Sequence, residues 1–169
     1  MPKNKGLILG SGSIDYPQYR KTDNIKIDIN PDCGADIVHD LEDLPLPFKD
    51  KEFSVIYAFE VLEHVGRQGN WKGFFDEFAE YYRILKNLGL MIITIPSKEN
   101  NCYLSEPGHT RVLEPITFNF LEQEFYKRNI GVTCSSDYRW YWKNNFNLVR
   151  YEKIGDNDRW FIVLQKYEK

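Results

Sequence analysis

The sequence predicts an α/β protein built on one open sheet, mostly parallel, with an antiparallel hairpin strand at the C-terminal end. Three observations carry this expectation. Short apolar runs alternate with stretches of helical period along the chain. The run Phe53–Phe59 is apolar on both faces, as a central strand covered on both sides requires. The last two strand-like runs are parted by Gly155-Asp156-Asn157-Asp158, a turn sequence suited to antiparallel neighbours. With 169 residues, no repeat and no linker tract, the chain reads as a single domain over 1–169.

The elements follow in order. Gly6–Leu9 is a short apolar run closed by glycines, a buried strand entering a turn. Asn24–Ile29 alternates Ile25, Ile27 and Ile29 with polar residues, and Ala35–His39 reads as a third, shorter strand. Pro45 and Pro47 leave little room for a helix before the fourth strand, Phe53–Phe59. From Asn70 to Leu85, residues Trp71, Phe74, Phe75, Phe78, Tyr82 and Leu85 fall on one face of a helix. Leu88–Ile95 is the next buried strand, stopped by Pro96. A second helix is expected from Pro115, a good first-turn residue, to about Arg128, with Asn129–Gly131 as its exit. Phe146–Ile154 and Trp160–Gln165 form the terminal hairpin.

Composition narrows the function classes. Twenty-two basic and 25 acidic residues leave a net charge of −3, so no general positive field gathers nucleic acid or anionic lipid. No apolar stretch approaches the ~18 residues of a membrane span, and the N-terminus lacks a secretory pattern, so the expected location is cytoplasmic. Cys33, Cys102 and Cys134 are scattered and lack C-x-x-C spacing, which argues against disulfides and zinc; no metal is expected. Aromatic residues make up 15% of the chain, enough to fill a small core and line a pocket. Tyr138-Arg139-Trp140-Tyr141-Trp142-Lys143 interleaves aromatics with bases, and a covering segment with one aromatic face is favoured over a stacking surface for bases or sugars.

Gly10-Ser11-Gly12-Ser13 follows the first strand, where absent side chains let the backbone turn sharply and approach a ligand. Asp28 comes 16 residues after Gly12, near the end of the second strand, where a carboxylate can accept from both hydroxyls of a ribose. Together they point to a nucleoside.

These residues resemble the class I S-adenosylmethionine-dependent methyltransferases, in particular the small methyltransferase type 11-like group. The resemblance rests on Leu9-Gly10-Ser11-Gly12, Asp28-Ile29-Asn30-Pro31, Ala35-Asp36-Ile37-Val38-His39-Asp40-Leu41, Leu44-Pro45-Leu46-Pro47-Phe48, Ala58-Phe59-Glu60-Val61-Leu62-Glu63-His64-Val65 and Arg83-Ile84-Leu85-Lys86. It implies a Rossmann-like sheet and S-adenosyl-L-methionine as cofactor. By it, Gly10 and Gly12 pass the methionine part, Asp28 holds the ribose, Asp40 and Leu41 meet the adenine, Phe59 and Glu60 line the amino-acid end, and Ser11 and Ile29 are further cofactor-binding residues. The chain departs from the family pattern at Ile8, Ile14, Ser54 and Asn87-Leu88-Gly89, the last two reading as structural changes. No cover helix precedes the first strand, so the site is expected to be more open, or closed by another subunit or by residues 99–114.

The function expected is methyl transfer to an O or N atom of a small-molecule or glycan-like acceptor. His64 is the candidate base, beyond the fourth strand where the acceptor approaches. His109 and Arg111, in a polar loop after the fifth strand, are candidate acceptor contacts, the arginine for a carboxylate or phosphate. Two other classes stay open: a noncatalytic module that keeps the fold and binds the cofactor or a partner, and, less favoured, a nicotinamide-dependent oxidoreductase. Oligomeric state is open, a homo-oligomer included.

Overall fold

The computed structural model describes residues 5–13, 23–156 and 158–168. Ile14 and Asn157 lie outside the described residues. Among the described residues, seven strands form one sheet: β1 (Lys5–Leu9), β2 (Asp23–Asp28), β3 (Ile37–Val38), β4 (Phe53–Phe59), β5 (Leu85–Pro96), β6 (Phe146–Ile154) and β7 (Arg159–Lys166). Their order is β3-β2-β1-β4-β5-β7-β6. The first five are parallel; β7 runs antiparallel to both β5 and β6. The chain order reverses between β1 and β4, which opens a crevice at their carboxyl ends.

Burial explains the central strands. Leu7, Ile8 and Leu9 of β1 are fully buried, and β4 alternates Ile56 and Ala58 on one face with Val55, Tyr57 and Phe59 on the other. The first face holds the main core, closed by α1 (Trp71–Ile84), the single turn α2 (Pro115–Phe118) and α3 (Gln123–Asn129). The second face carries a smaller cluster of Ile8, Val55, Tyr57 and Phe59.

Helix α1 starts where expected because the Asn70 side chain accepts from the Gly73 amide, an N-cap bond. Its buried face is rotated from the expected one. Phe75 and Phe78 are buried, but Glu77, Glu80, Tyr81 and Ile84 join them while Trp71, Phe74 and Tyr82 are only half-buried. The two glutamates are held inside by arginines. Glu80 accepts from the Leu46 amide and from Arg83, whose guanidinium also reaches the Leu46 and Phe48 carbonyls, clamping the 45–50 segment onto the helix.

The expected helix from Pro115 to Arg128 is instead α2, a 3₁₀ turn at Asn119–Leu121, and α3. Tertiary bonds divide it: the Gln123 amide donates to Asn145 Oδ1, and the Gln123 side chain donates to the Trp142 and Asn144 carbonyls. Strand β5 begins three residues earlier than expected. Phe53 pairs Leu85 but Val55 pairs Leu90, so Asn87-Leu88-Gly89 belong to a bulge, with Leu88 at φ 62°.

The aromatic segment 138–143 covers the core. Trp142 is buried, stacks on Phe75 at 5.6 Å and donates its indole N–H to the Leu121 carbonyl; Trp140 stays exposed against Trp71.

Candidate active site

Gly10, at φ +54°, turns the chain out of β1. A Cβ there would fall 2.3 Å from Val61 Cγ2, so only glycine lets this turn pack on the segment after β4. The Gly12 amide donates to Asp28 Oδ2 and the Asn30 amide to Asp28 Oδ1, both at 2.8 Å. The carboxylate at the end of β2 thus fixes both adjoining loops, and each oxygen keeps a further lone pair for a ligand. Asp40 Oδ1 accepts from the Glu42 amide at 2.9 Å, a turn of its own making.

Gly10, Asp28, Ile29, Asp40, Leu41, Glu60 and His64 meet around one cleft of about 430 Å³, together with Glu42, Val61 and Val65. It lies at the carboxyl ends of β1, β2 and β4, where the strand order reverses. Glu60 occupies a left-handed backbone conformation, φ 50°, which a non-glycine residue holds only where its surroundings enforce it. Its amide donates to the Thr94 carbonyl of β5. Its Oε1 is buried with no hydrogen-bond partner, and burial raises its pKa above the ordinary carboxylate value.

The remaining expected residues sit elsewhere. Ser11 is buried, its amide donating to the Ile27 carbonyl, and Gly12 touches the site through Asp28. Phe59 does not line the cleft: its ring packs against Tyr57 at 5.8 Å in the second-face cluster, because strand alternation turns it away from Ala58 and Glu60. Arg111 is not on a solvated face, though it helps to wall the hollow described below. It is buried, donating to the Leu62 carbonyl and to both oxygens of Glu77, whose Oε1 also accepts from Tyr81. Sequence reasoning missed Glu77; its one signal was a carboxylate set among the apolar residues of the helix.

His64 ends a 3₁₀ turn, Leu62–His64, and borders the cleft. Its Nδ1 lies 3.0 Å from the Gly108 carbonyl. The His109 ring lies 4.7 Å away, edge to face, so the two histidines are neighbours. Behind them Glu63 is buried, and burial pushes its carboxyl up to about 8.

A second hollow, of about 230 Å³, opens beyond Gly66 and is walled by Arg67, Trp71, Phe74, Phe75, Phe120 and Tyr138 among others. Gly66 separates it from the cleft, its amide donating to Glu42 Oε1. Its aromatic faces can stack on a planar or sugar ring.

A family profile described as a methyltransferase domain matches residues 15–93. No curated protein matches. Solved structures do. A SAM-dependent methyltransferase from Archaeoglobus fulgidus superposes with TM-score 0.63 at 13% identity, covering 98% of this chain and 87% of that one. A Methanosarcina mazei structure described as SAM-dependent methyltransferases gives 0.61 at 14%, covering 100% and 95%. A chain in a complex between the Haloferax volcanii Trm112 methyltransferase activator and a protein taken to be a methyltransferase gives 0.65 at 13%, covering 98% and 84%. The chain therefore has the fold of these SAM-dependent methyltransferases, and its residues 15–93 match a methyltransferase-domain profile.

Proposed function

We propose that the cleft holds S-adenosylmethionine and that the protein transfers its methyl group to an O or N atom of a small-molecule or glycan-like acceptor. The observation that carries the reading is the convergence of Gly10, Asp28, Asp40 and Glu60 on one cleft at the strand-order reversal. The residues fit the group. Asp28 keeps free acceptor capacity for ribose hydroxyls, Asp40 and Leu41 offer a polar and an apolar contact for the adenine, and the unpartnered Glu60 oxygen suits the ammonium of the amino-acid end. When bound, the cofactor supplies a methyl carbon activated by a sulfonium.

The chain's own part is to align the acceptor and to keep water away. His64 stands at the cleft with Nδ1 held by the Gly108 carbonyl, which leaves Nε2 as the atom to take a proton from an acceptor hydroxyl or amine. Arg111, paired with Glu77, supports this turn through the Leu62 carbonyl and also walls the hollow open to an acceptor. The aromatic hollow beyond Gly66 supports a ring-bearing acceptor such as a glycan.

The test is calorimetric titration with S-adenosylmethionine and S-adenosylhomocysteine, with NAD as control, followed by methyl transfer from labelled donor to hydroxyl- and amine-bearing acceptors. Saturable binding of the adenosyl compounds alone, with label transferred, is the expected result. Binding of NAD but not of the adenosyl compounds would return the oxidoreductase reading. Adenosyl binding with no transfer would favour the noncatalytic module.

A further inference from the structure

The turn Leu62–His64 and the loop before Arg111 bring three electron-pair donors together, with a fourth beside the two histidines, and the proposed methyl transfer uses one of them at most. One ligand atom each from Glu63, His64 and His109 lies within 4.8 Å of the others. Glu106 completes the group, its oxygens 3.3 Å from His109 Nε2 and 3.8 Å from His64 Nε2. We propose that Glu63, His64 and His109, with Glu106 at the rim, bind one divalent first-row transition-metal ion.

The tautomers carry the first part of the argument. His64 Nδ1 lies 3.0 Å from the Gly108 carbonyl and His109 Nδ1 lies 3.3 Å from the Tyr103 carbonyl. A carbonyl only accepts, so each Nδ1 bears a hydrogen, and Nε2 is the nitrogen of each ring that faces the carboxylates and is left to ligate an ion. Anchoring one ring nitrogen on a carbonyl so that the other is bare is how a protein prepares histidine for a metal. The 3.8 Å from His64 to Glu106 and the 4.0 Å from His109 to Glu63 are too long for a hydrogen bond. A shared ion with bonds of about 2.0–2.2 Å would draw such atoms to about 3–3.5 Å, a small side-chain adjustment.

Glu63 supplies the second, independent observation. Its side chain is only 4% exposed, and Oε2 is buried with no hydrogen-bond partner. A buried carboxylate oxygen left unpaired is costly unless something positive occupies the space before it. The frame around it is fixed. The amides of Thr110 and Arg111 both donate to the Glu63 carbonyl, tying the His109 loop to the His64 turn. Gly108 lets the two segments close, since a Cβ there would stand 2.8 Å from His64 Nδ1.

Two imidazoles with carboxylates and no thiolate suit zinc, cobalt, manganese or ferrous iron rather than magnesium or calcium, which prefer all-oxygen shells. Because His64 also borders the cleft, an ion here gives an acceptor oxygen a point of coordination, and His64 then serves as ligand instead of base. That last role rests on the methyltransferase reading; the metal site does not.

The experiment titrates tag-free, chelator-stripped full-length protein with Co²⁺, followed by its visible absorption bands, and with Zn²⁺ by calorimetry, Mg²⁺ being the control. One equivalent of Co²⁺ and of Zn²⁺ should bind, with Mg²⁺ far weaker. His64→Ala, at a half-exposed position, and Glu63→Gln should each lower Co²⁺ affinity by about 100-fold or more. Circular dichroism checks the fold, and His64→Ala alone decides if Glu63→Gln fails to fold. Absence of saturable Co²⁺ and Zn²⁺ binding, or unchanged affinity in His64→Ala, overturns the site. S-adenosylmethionine titrated into the same samples separates the two claims: metal binding without adenosyl binding removes the methyltransferase reading and keeps the site, and the reverse removes the site alone.

Discussion

The Gly12 amide donates to Asp28 Oδ2 at 2.8 Å, so the glycine turn after β1 and the carboxylate at the end of β2 form one hydrogen-bonded unit. A substitution at Asp28 therefore acts on the loop as well as on the ligand. Asp28→Ala should lower S-adenosylmethionine affinity by about 10-fold or more and cost about 1–3 kcal/mol of stability, because the Gly12 and Asn30 amides lose a charged acceptor. Calorimetry and urea unfolding check the two parts. Unchanged affinity would remove the ribose assignment.

Gly10→Ala should be worse than its size suggests. The new Cβ meets Val61 at 2.3 Å and the backbone keeps a positive φ. A cost of about 1–3 kcal/mol from the conformation alone is expected, plus that of moving the loop, with adenosyl binding lost alongside. Gly12→Ala has open space around its Cβ and should carry the conformational cost only. Thermal unfolding of both variants makes the comparison.

Arg111 and Glu77 form a buried ion pair, so Arg111→Met should destabilise by about 3–5 kcal/mol, leaving an uncompensated carboxylate. Adding Glu77→Leu should recover much of the loss, since two apolar side chains replace the charges together. Denaturant unfolding of the single and double variants measures it. If Arg111 were an acceptor contact on a solvated loop, the single variant would unfold like the parent.

Trp142→Ala should cost about 3–5 kcal/mol through the cavity it leaves beside Phe75 and the stranded Leu121 carbonyl. Trp140→Ala, two residues away and 63% exposed, should stay within about 0.5 kcal/mol. Equal effects would show that the aromatic segment does not pack as described.

Much of the architecture was legible because it rests on local pattern. Phe53–Phe59 and Phe146–Ile154 were bounded residue for residue, each an apolar or alternating run closed by turn residues. What escaped rests on bonds between distant parts of the chain. The break before Gln123 comes from Asn145, Trp142 and Asn144, about 20 residues on, which no helical period reveals. Lys166, just past the expected end of the last strand, is buried because its ammonium answers the Tyr82 and Leu85 carbonyls at the end of α1. At the cleft, Gly10 and Asp28 were readable from their place after strands, whereas the pairing of His64 with His109 was not, since residues 45 positions apart carry no spacing signal.

The position of β7 sets a timetable for folding. It lies between β5 and β6, although it is made after both, so β6 has no seat in the sheet until residues 159–166 leave the ribosome. Until that moment the Leu90–Pro96 edge, with Met91, Ile93 and Ile95, remains an open apolar strand able to pair with another nascent chain. The first five strands, and with them the cleft, belong to the part already synthesised, so the cleft-bearing half is built early and depends on β7 to cover its open edge.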